Sequence, residues 1–128
     1  LAQVKIHSPK ILEECGTICM STEYLLYKMT GKWGIDRSTA VPFFLLEQQT
    51  GKWHKPYLDA LGVSEDKLPK VYESGDLLGQ VTKDFSIEYG VDENCKVYLG
   101  SFDHPSGAIA NNVVRPAVEQ RLSFDYEV

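Results

Sequence analysis

Asp103 and His104 stand side by side where the apolar run Val97-Tyr98-Leu99 gives way, through Gly100-Ser101-Phe102, to Pro105-Ser106-Gly107-Ala108. A carboxylate beside an imidazole can take the proton of a hydroxyl or hydrogen-bond a polar ligand. The setting matters as much as the pair. The pattern reads as a strand running into a helix, and in α/β folds the C-terminal ends of strands are where ligands are met. Gly100 lets the backbone turn or approach a ligand closely, and Pro105 suits only the first turn of a helix, so a helix is expected from about His104 to Pro105. Asp103 then lies at the positive end of the helix dipole. Aspartate is also a preferred N-cap, and taken by itself capping is the simpler account of its presence.

Other residues with chemical potential are more scattered. Cys15 and Cys19 are separated by three residues, Cys95 stands alone, and His7, His54 and His104 are far apart. Neither a disulfide framework nor a zinc spacing is present, so reduced thiols, a cytoplasmic setting and no metal site built from side chains are the expectation. A metal-assisted hydrolase using Asp103, His104 and Cys95 is the weakest of the readings. Trp33 and Trp53 could stack on a sugar ring if exposed, although Trp53, at the approach to His54-Lys55-Pro56, is better explained by packing.

The chain that must position these groups has 128 residues, 43% hydrophobic, with a net charge of −5. That length makes one domain or a piece of one, with a core able to bury about two-thirds of the unfolded surface. The acidic balance and the lack of a Lys/Arg cluster argue against nucleic acid or an anionic membrane as the main partner. No secretory signal and no bilayer-spanning run is read in it.

Ser8-Pro9 opens a short helix through Ile11-Leu12, Ser8 being the N-cap and Pro9 the first helical residue. Ser21-Thr22-Glu23 opens a longer one, with Leu25, Leu26 and Met29 on one face and Gly31 as a left-handed stop. From Ile35 to Leu46 the apolar residues are too dense to separate strand from buried helix. Glu47 to Trp53 reads as a turn, followed by a helix over Tyr57, Leu58 and Leu61 that ends at Gly62. Ser64-Glu65-Asp66 caps a brief helix, Gly79 to Thr82 is a short strand, and Asp84 to Tyr89 a helix closed by Gly90. Lys96 to Phe102 is the buried strand that delivers Asp103. Arg115-Pro116 interrupts the last helix, and Leu122 to Val128 forms a terminal strand. Thr30-Gly31-Lys32-Trp33 and Thr50-Gly51-Lys52-Trp53 echo each other, but their flanks differ, so two glycine turns rather than a repeat are expected.

Several of these segments together carry a resemblance. Tyr24-Leu25-Leu26-Tyr27-Lys28-Met29-Thr30-Gly31, Asp36-Arg37-Ser38-Thr39-Ala40, Thr50-Gly51-Lys52-Trp53 and Leu58-Asp59-Ala60-Leu61-Gly62 follow one another as in the FGGY family of carbohydrate kinases. Leu68 to Gly75, Leu78 to Thr82, and Gly100-Ser101-Phe102-Asp103-His104-Pro105 with Gly107-Ala108 continue the series in order. The chain from about residue 5 to residue 114 is similar to the later part of that family's N-terminal domain, and residues 1–114 are read as a partial domain of this kind. Residues 115–128 depart from the pattern.

The resemblance implies an α/β fold, part of a ribonuclease-H-like, actin-like ATPase domain, helix-rich with a few strands. It implies ATP- and Mg2+-dependent phosphorylation of a sugar or polyol, with Asp103 as catalytic base and His104 as a contact to substrate hydroxyls. Arg37 stands where the glycerol-phosphorylating members have an aromatic residue. The family's Asp-x-Gly-Thr phosphate loop has no counterpart in these residues. The chain alone is therefore expected to bind ATP poorly and to be inactive, and a truncated domain of this kind could self-associate. A sugar-binding or assembly module without catalysis is the alternative.

Overall fold

The computed structural model describes residues 1–111; the expected break at Arg115-Pro116 and the strand over Leu122 to Val128 lie outside them. Among the described residues seven α-helices and six short strands follow one another: α1 Ala2–His7, α2 Pro9–Glu14, α3 Ser21–Thr30, β1 Gly34–Asp36, α4 Arg37–Ala40, β2 Leu46–Glu47, β3 Lys52–Trp53, α5 Lys55–Leu61, β4 Lys70–Tyr72, β5 Leu77–Gln80, α6 Lys83–Tyr89, β6 Lys96–Tyr98 and α7 Asp103–Ala110. Helix outweighs strand, as the sequence pattern implies.

The punctuation residues act where local backbone demands them. Pro9 occupies the first turn of α2, where its missing N–H costs nothing. Gly31, Gly62 and Gly90 end α3, α5 and α6 in the left-handed conformation, which a Cβ disfavours. The two Thr-Gly-Lys-Trp segments are unrelated in use, the first a helix stop and the second a hairpin turn between β2 and β3.

Strand β1 pairs in parallel with β4, Gly34 opposite Lys70 and Asp36 opposite Tyr72. A parallel pair needs a crossover, here the run containing α4, the β2–β3 hairpin and α5. β5 and β6 pair antiparallel with an irregularity between Leu77 and Gly79. Helix α3 packs on β1, β5 and β6 and joins the two pairs. Gly34 suits the close packing of β1 against Leu78 and Tyr72, because a Cβ there would lie 2.6 Å from Leu78 Cδ1 and 3.1 Å from Tyr72 Cε2 and these side chains would have to shift. The main core gathers Leu12, Ile35, Ala40, Leu45, Trp53, Leu58, Val63 and Leu68.

Three expectations are corrected. The dense run after Ile35 is neither one strand nor one helix: β1 and α4 are followed by a 3-10 turn over Val41–Phe43 and a left-handed Phe44. The strand before Asp103 ends at Tyr98 and is half-buried, with Val97 and Leu99 inward and Lys96 and Tyr98 outward. An antiparallel pair wet on one face has this alternation. On α3 it is Glu23 and Thr30 that are buried, while Leu25 is exposed.

Glu23 is 1% exposed. Its Oε2 accepts the Met20 N–H at 2.8 Å, while Oε1 has no hydrogen-bond partner among the described residues. Burial raises this carboxyl above its ordinary value near 4.5, against the backbone N–H groups of Met20 and Glu23 and with help from the Asp36 carboxylate. Burial, and secondarily Glu23, also push the Cys19 thiol up.

A raised folded-state value means that the native chain holds the Glu23 proton more tightly than the unfolded chain does. The resulting stability is fully present below the unfolded value and is lost as pH rises through the folded one. Glu23→Gln keeps an acceptor for Met20 and removes this dependence. In urea titrations from about pH 4 to 7 the wild type is expected to lose stability relative to the variant. Parallel profiles would show that Glu23 does not titrate upward.

Candidate functional site

Leu99 follows β6 and remains tied to the β4–β5 turn, donating its N–H to Asp76 O at 2.9 Å and accepting from Gly75 N at 2.8 Å. Two backbone bonds to a neighbouring turn hold the chain straight beyond the last strand residue. The backbone then enters α7 at Asp103 itself, with Phe102 as N-cap. The expected helix start is thus met within two residues, but Asp103 is the first helical residue and not the cap. Ser106 secures the turn, its hydroxyl donating to Phe102 O at 3.0 Å and lying 2.5 Å from the Ser101 hydroxyl.

The Asp103 side chain is 78% exposed and that of His104 66%. Oδ1 of Asp103 accepts the His104 backbone N–H at 2.8 Å and lies 2.8 Å from His104 Nδ1. The His104 ring is in turn stacked with Phe102, centroids 5.6 Å apart and planes 22° from parallel. The pair read from the sequence is therefore a real pair. A carboxylate oriented by two N–H groups and open to solvent can accept a proton from a hydroxyl brought to it.

Strand β1 ends next to this turn. Asp36 accepts the N–H groups of Ser38 and Thr39 at 2.9 and 3.1 Å, capping α4. The Ser38 hydroxyl oxygen accepts the Phe102 N–H at 2.9 Å. Arg37 is turned to other work. Its guanidinium donates to Gln48 O and lies 3.6 Å from the Glu73 carboxylate. Arg37, Ser38, Gln48, Glu73 and Ser74 help to line an open cleft of about 320 Å³, which includes no residue of the Asp103 turn and is linked to it through the Ser38–Phe102 hydrogen bond. A larger depression of about 640 Å³, around Trp53 and Glu65, includes no residue of that turn.

The remaining candidates are not drawn to Asp103. Cys95 is exposed at the opposite end of β6, and among the described residues no three His, Cys, Asp or Glu side chains come together as a metal donor set. The hydrolase reading loses its ligands. Trp53 is buried and donates Nε1–H to Pro69 O at 3.0 Å. Trp33 is half-buried with one face covered by Tyr27, centroids 4.1 Å apart and planes 4° from parallel. Sequence reasoning missed Ser38 as part of the site. The Asp-x-Ser spacing of an N-cap was its one signal, and that signal is silent about a partner 64 positions away.

Comparison with known proteins bears on the family and the fold. The model of the FGGY family of carbohydrate kinases, N-terminal domain, matches residues 1–110. The autoinducer-2 kinase of Enterobacter sp. (strain 638) is 33% identical over 109 residues, 85% of this chain and 21% of that protein. The xylulose kinase of Bacillus subtilis (strain 168) is 28% identical over 111 residues, 87% of this chain and 22% of that protein. Among solved structures, ligand-bound xylulose kinase from Lactobacillus acidophilus superimposes with a TM-score of 0.80 at 23% identity, over 85% of this chain and 22% of that one. Plasmodium falciparum glycerol kinase with ADP superimposes with a TM-score of 0.73 at 16% identity, over 88% and 23%. The chain thus spans about a fifth of the length of these relatives.

Proposed function

The chain belongs to the FGGY family of carbohydrate kinases, and from that membership we propose that the protein of which it is part transfers the terminal phosphoryl group of ATP to a hydroxyl of a sugar or polyol. The observation that carries the reading is Asp103, an exposed carboxylate at the head of α7, oriented by His104 at 2.8 Å. Phosphoryl transfer through a loose transition state asks mainly for positioning and charge stabilisation. Asp103 orients the acceptor hydroxyl and takes its proton late in the transfer. His104, whose Nδ1 is engaged by Asp103, turns its other nitrogen to a second substrate hydroxyl. Arg37, held by Glu73 and Gln48, lines the cleft wall and does not reach for the sugar. The setting is cytoplasmic, in keeping with three cysteines that form no disulfide.

The described residues do not fit a nucleotide with its metal. They bring together no group of three His, Cys, Asp or Glu side chains as a cation donor set. The 128-residue chain by itself is expected to bind ATP poorly and to be inactive.

The test is direct. The complete protein, incubated with ATP, magnesium and a panel of pentuloses, hexonates and polyols, is expected to yield one phosphorylated class, while the 128-residue chain yields none and shows no heat of ATP binding in calorimetry. Saturable sugar binding by the complete protein without turnover would replace the kinase reading with that of a binding module. Micromolar ATP affinity of the short chain would show that the nucleotide site lies within these residues.

A further inference from the structure

Asp36 is 5% exposed, and one of its oxygens, Oδ1, gathers four donors. These are the N–H groups of Ser38 and Thr39, the Ser38 hydroxyl, and the Ser74 hydroxyl at 3.2 Å. Two of them cap α4. The other two serve the neighbouring loops. Because the Ser38 proton is committed to a buried carboxylate, its oxygen lone pairs are free to accept, and donation to an anion makes that oxygen a better acceptor. It takes the N–H of Phe102, the N-cap of α7 and the residue before Asp103, at 2.9 Å.

We propose that Ser38, held by Asp36, is a positioning residue for Asp103, fixing the backbone from which the catalytic carboxylate projects. This rests on the reading of Asp103 as the proton acceptor. The anchoring is needed because the Asp103 side chain is open to solvent and, among the described residues, is oriented by its neighbour His104. The direction of its Cα–Cβ bond is therefore set by the backbone at Phe102. Leu99 is held from the β4–β5 turn, and Ser74 in that turn is held by Asp36. One buried carboxylate at the end of β1 thus governs both sides of the turn. An error in the placement of Ser38 or Ser74 is transmitted through Phe102 or Leu99 to the backbone that carries the Asp103 carboxylate.

The experiment uses the complete kinase on its acceptor, with Ser38→Ala, Ser38→Thr, Asp103→Asn and the Ser38→Ala/Asp103→Asn double variant. Misplacement of a reacting group costs one to two orders of magnitude. Ser38→Ala is expected to lower kcat about 10- to 100-fold with the KM for ATP unchanged, and Ser38→Thr, which keeps the hydroxyl, to recover to within about threefold of wild type. In the Asp103→Asn background Ser38→Ala is expected to cost nothing more, since a residue acting through another is non-additive with it. Full turnover in Ser38→Ala, or an equal loss in both backgrounds, overturns the proposal while leaving Asp103 as base. Near-normal turnover in Asp103→Asn overturns the base reading, and the proposal with it. Should Ser38→Ala be insoluble, Asp36→Asn replaces it. That variant keeps the cap acceptor but removes the charge, and the expected loss is several-fold, again absent in the Asp103→Asn background.

Discussion

Asp103→Asn in the complete kinase is expected to lower turnover by about two to four orders of magnitude, the size of a general-base contribution. The substitution is nearly isosteric. An amide oxygen can still accept the His104 N–H that Oδ1 accepts at 2.8 Å, so the first turn of α7 is preserved and folding stability should change little. What is lost is the proposed proton acceptor. His104→Ala separates the roles, because a hydrogen bond made to the bound substrate and kept in the transition state is felt mainly in binding. KM for the sugar should therefore rise more than kcat falls. Steady-state kinetics of the two variants are the measurement. Turnover near wild type in Asp103→Asn would leave Asp103 as an ordinary acid of a helix first turn, and the proposed kinase activity would then lack a base among these residues.

Trp53→Ala is expected to be the costliest single change to the fold. Trp53 lies in the main core with Phe43 tilted against it at 5.6 Å, and its Nε1–H satisfies the carbonyl of Pro69, itself fully buried. Truncation removes the largest core side chain, leaves a cavity and orphans that carbonyl. The expected loss is about 3–5 kcal/mol, against a typical total of about 5–15 kcal/mol. Trp53→Phe restores most of the apolar volume but not the donor, and should cost about 1–3 kcal/mol. Urea unfolding midpoints of the three proteins decide the matter. A loss below about 1 kcal/mol in Trp53→Ala would mean that the site collapses around the gap.

What could be read from the residues was local in origin. A left-handed glycine ends α3, α5 and α6 because the conformation itself disfavours a Cβ, and Pro9 sits at the first turn of its helix because its ring already has the right φ. Such constraints act within a few residues and are written in sequence. The Asp103–His104 pair was legible for the same reason, its two members being adjacent and its helix start marked by Pro105. Even there the boundary slipped, since Phe102, an aromatic residue with no capping side chain, is the N-cap. A backbone held from outside can start a helix without one.

Failures of the sequence reading fall where a distant segment decides. Leu25 looks like a core position by periodicity, yet α3 presents Glu23 to the interior instead. Amphipathic spacing identifies a face but not which neighbour covers it. The run from Val41 to Leu46 has too many apolar residues for either period, and a 3-10 turn with Phe44 in the left-handed region resolves it only because the hairpin must return to pair Leu46 with Trp53. The order of the residues thus carried the resemblance to the family, and with that resemblance came Asp103 as the candidate base, while the residue pattern itself carried the helix-rich α/β character. Tertiary structure decided that β1 and β4 lie side by side and that Ser38 reaches Phe102. Capping and turn preferences are energies of one peptide and its neighbours, whereas a hydrogen bond across 64 positions exists only after burial has brought both ends together.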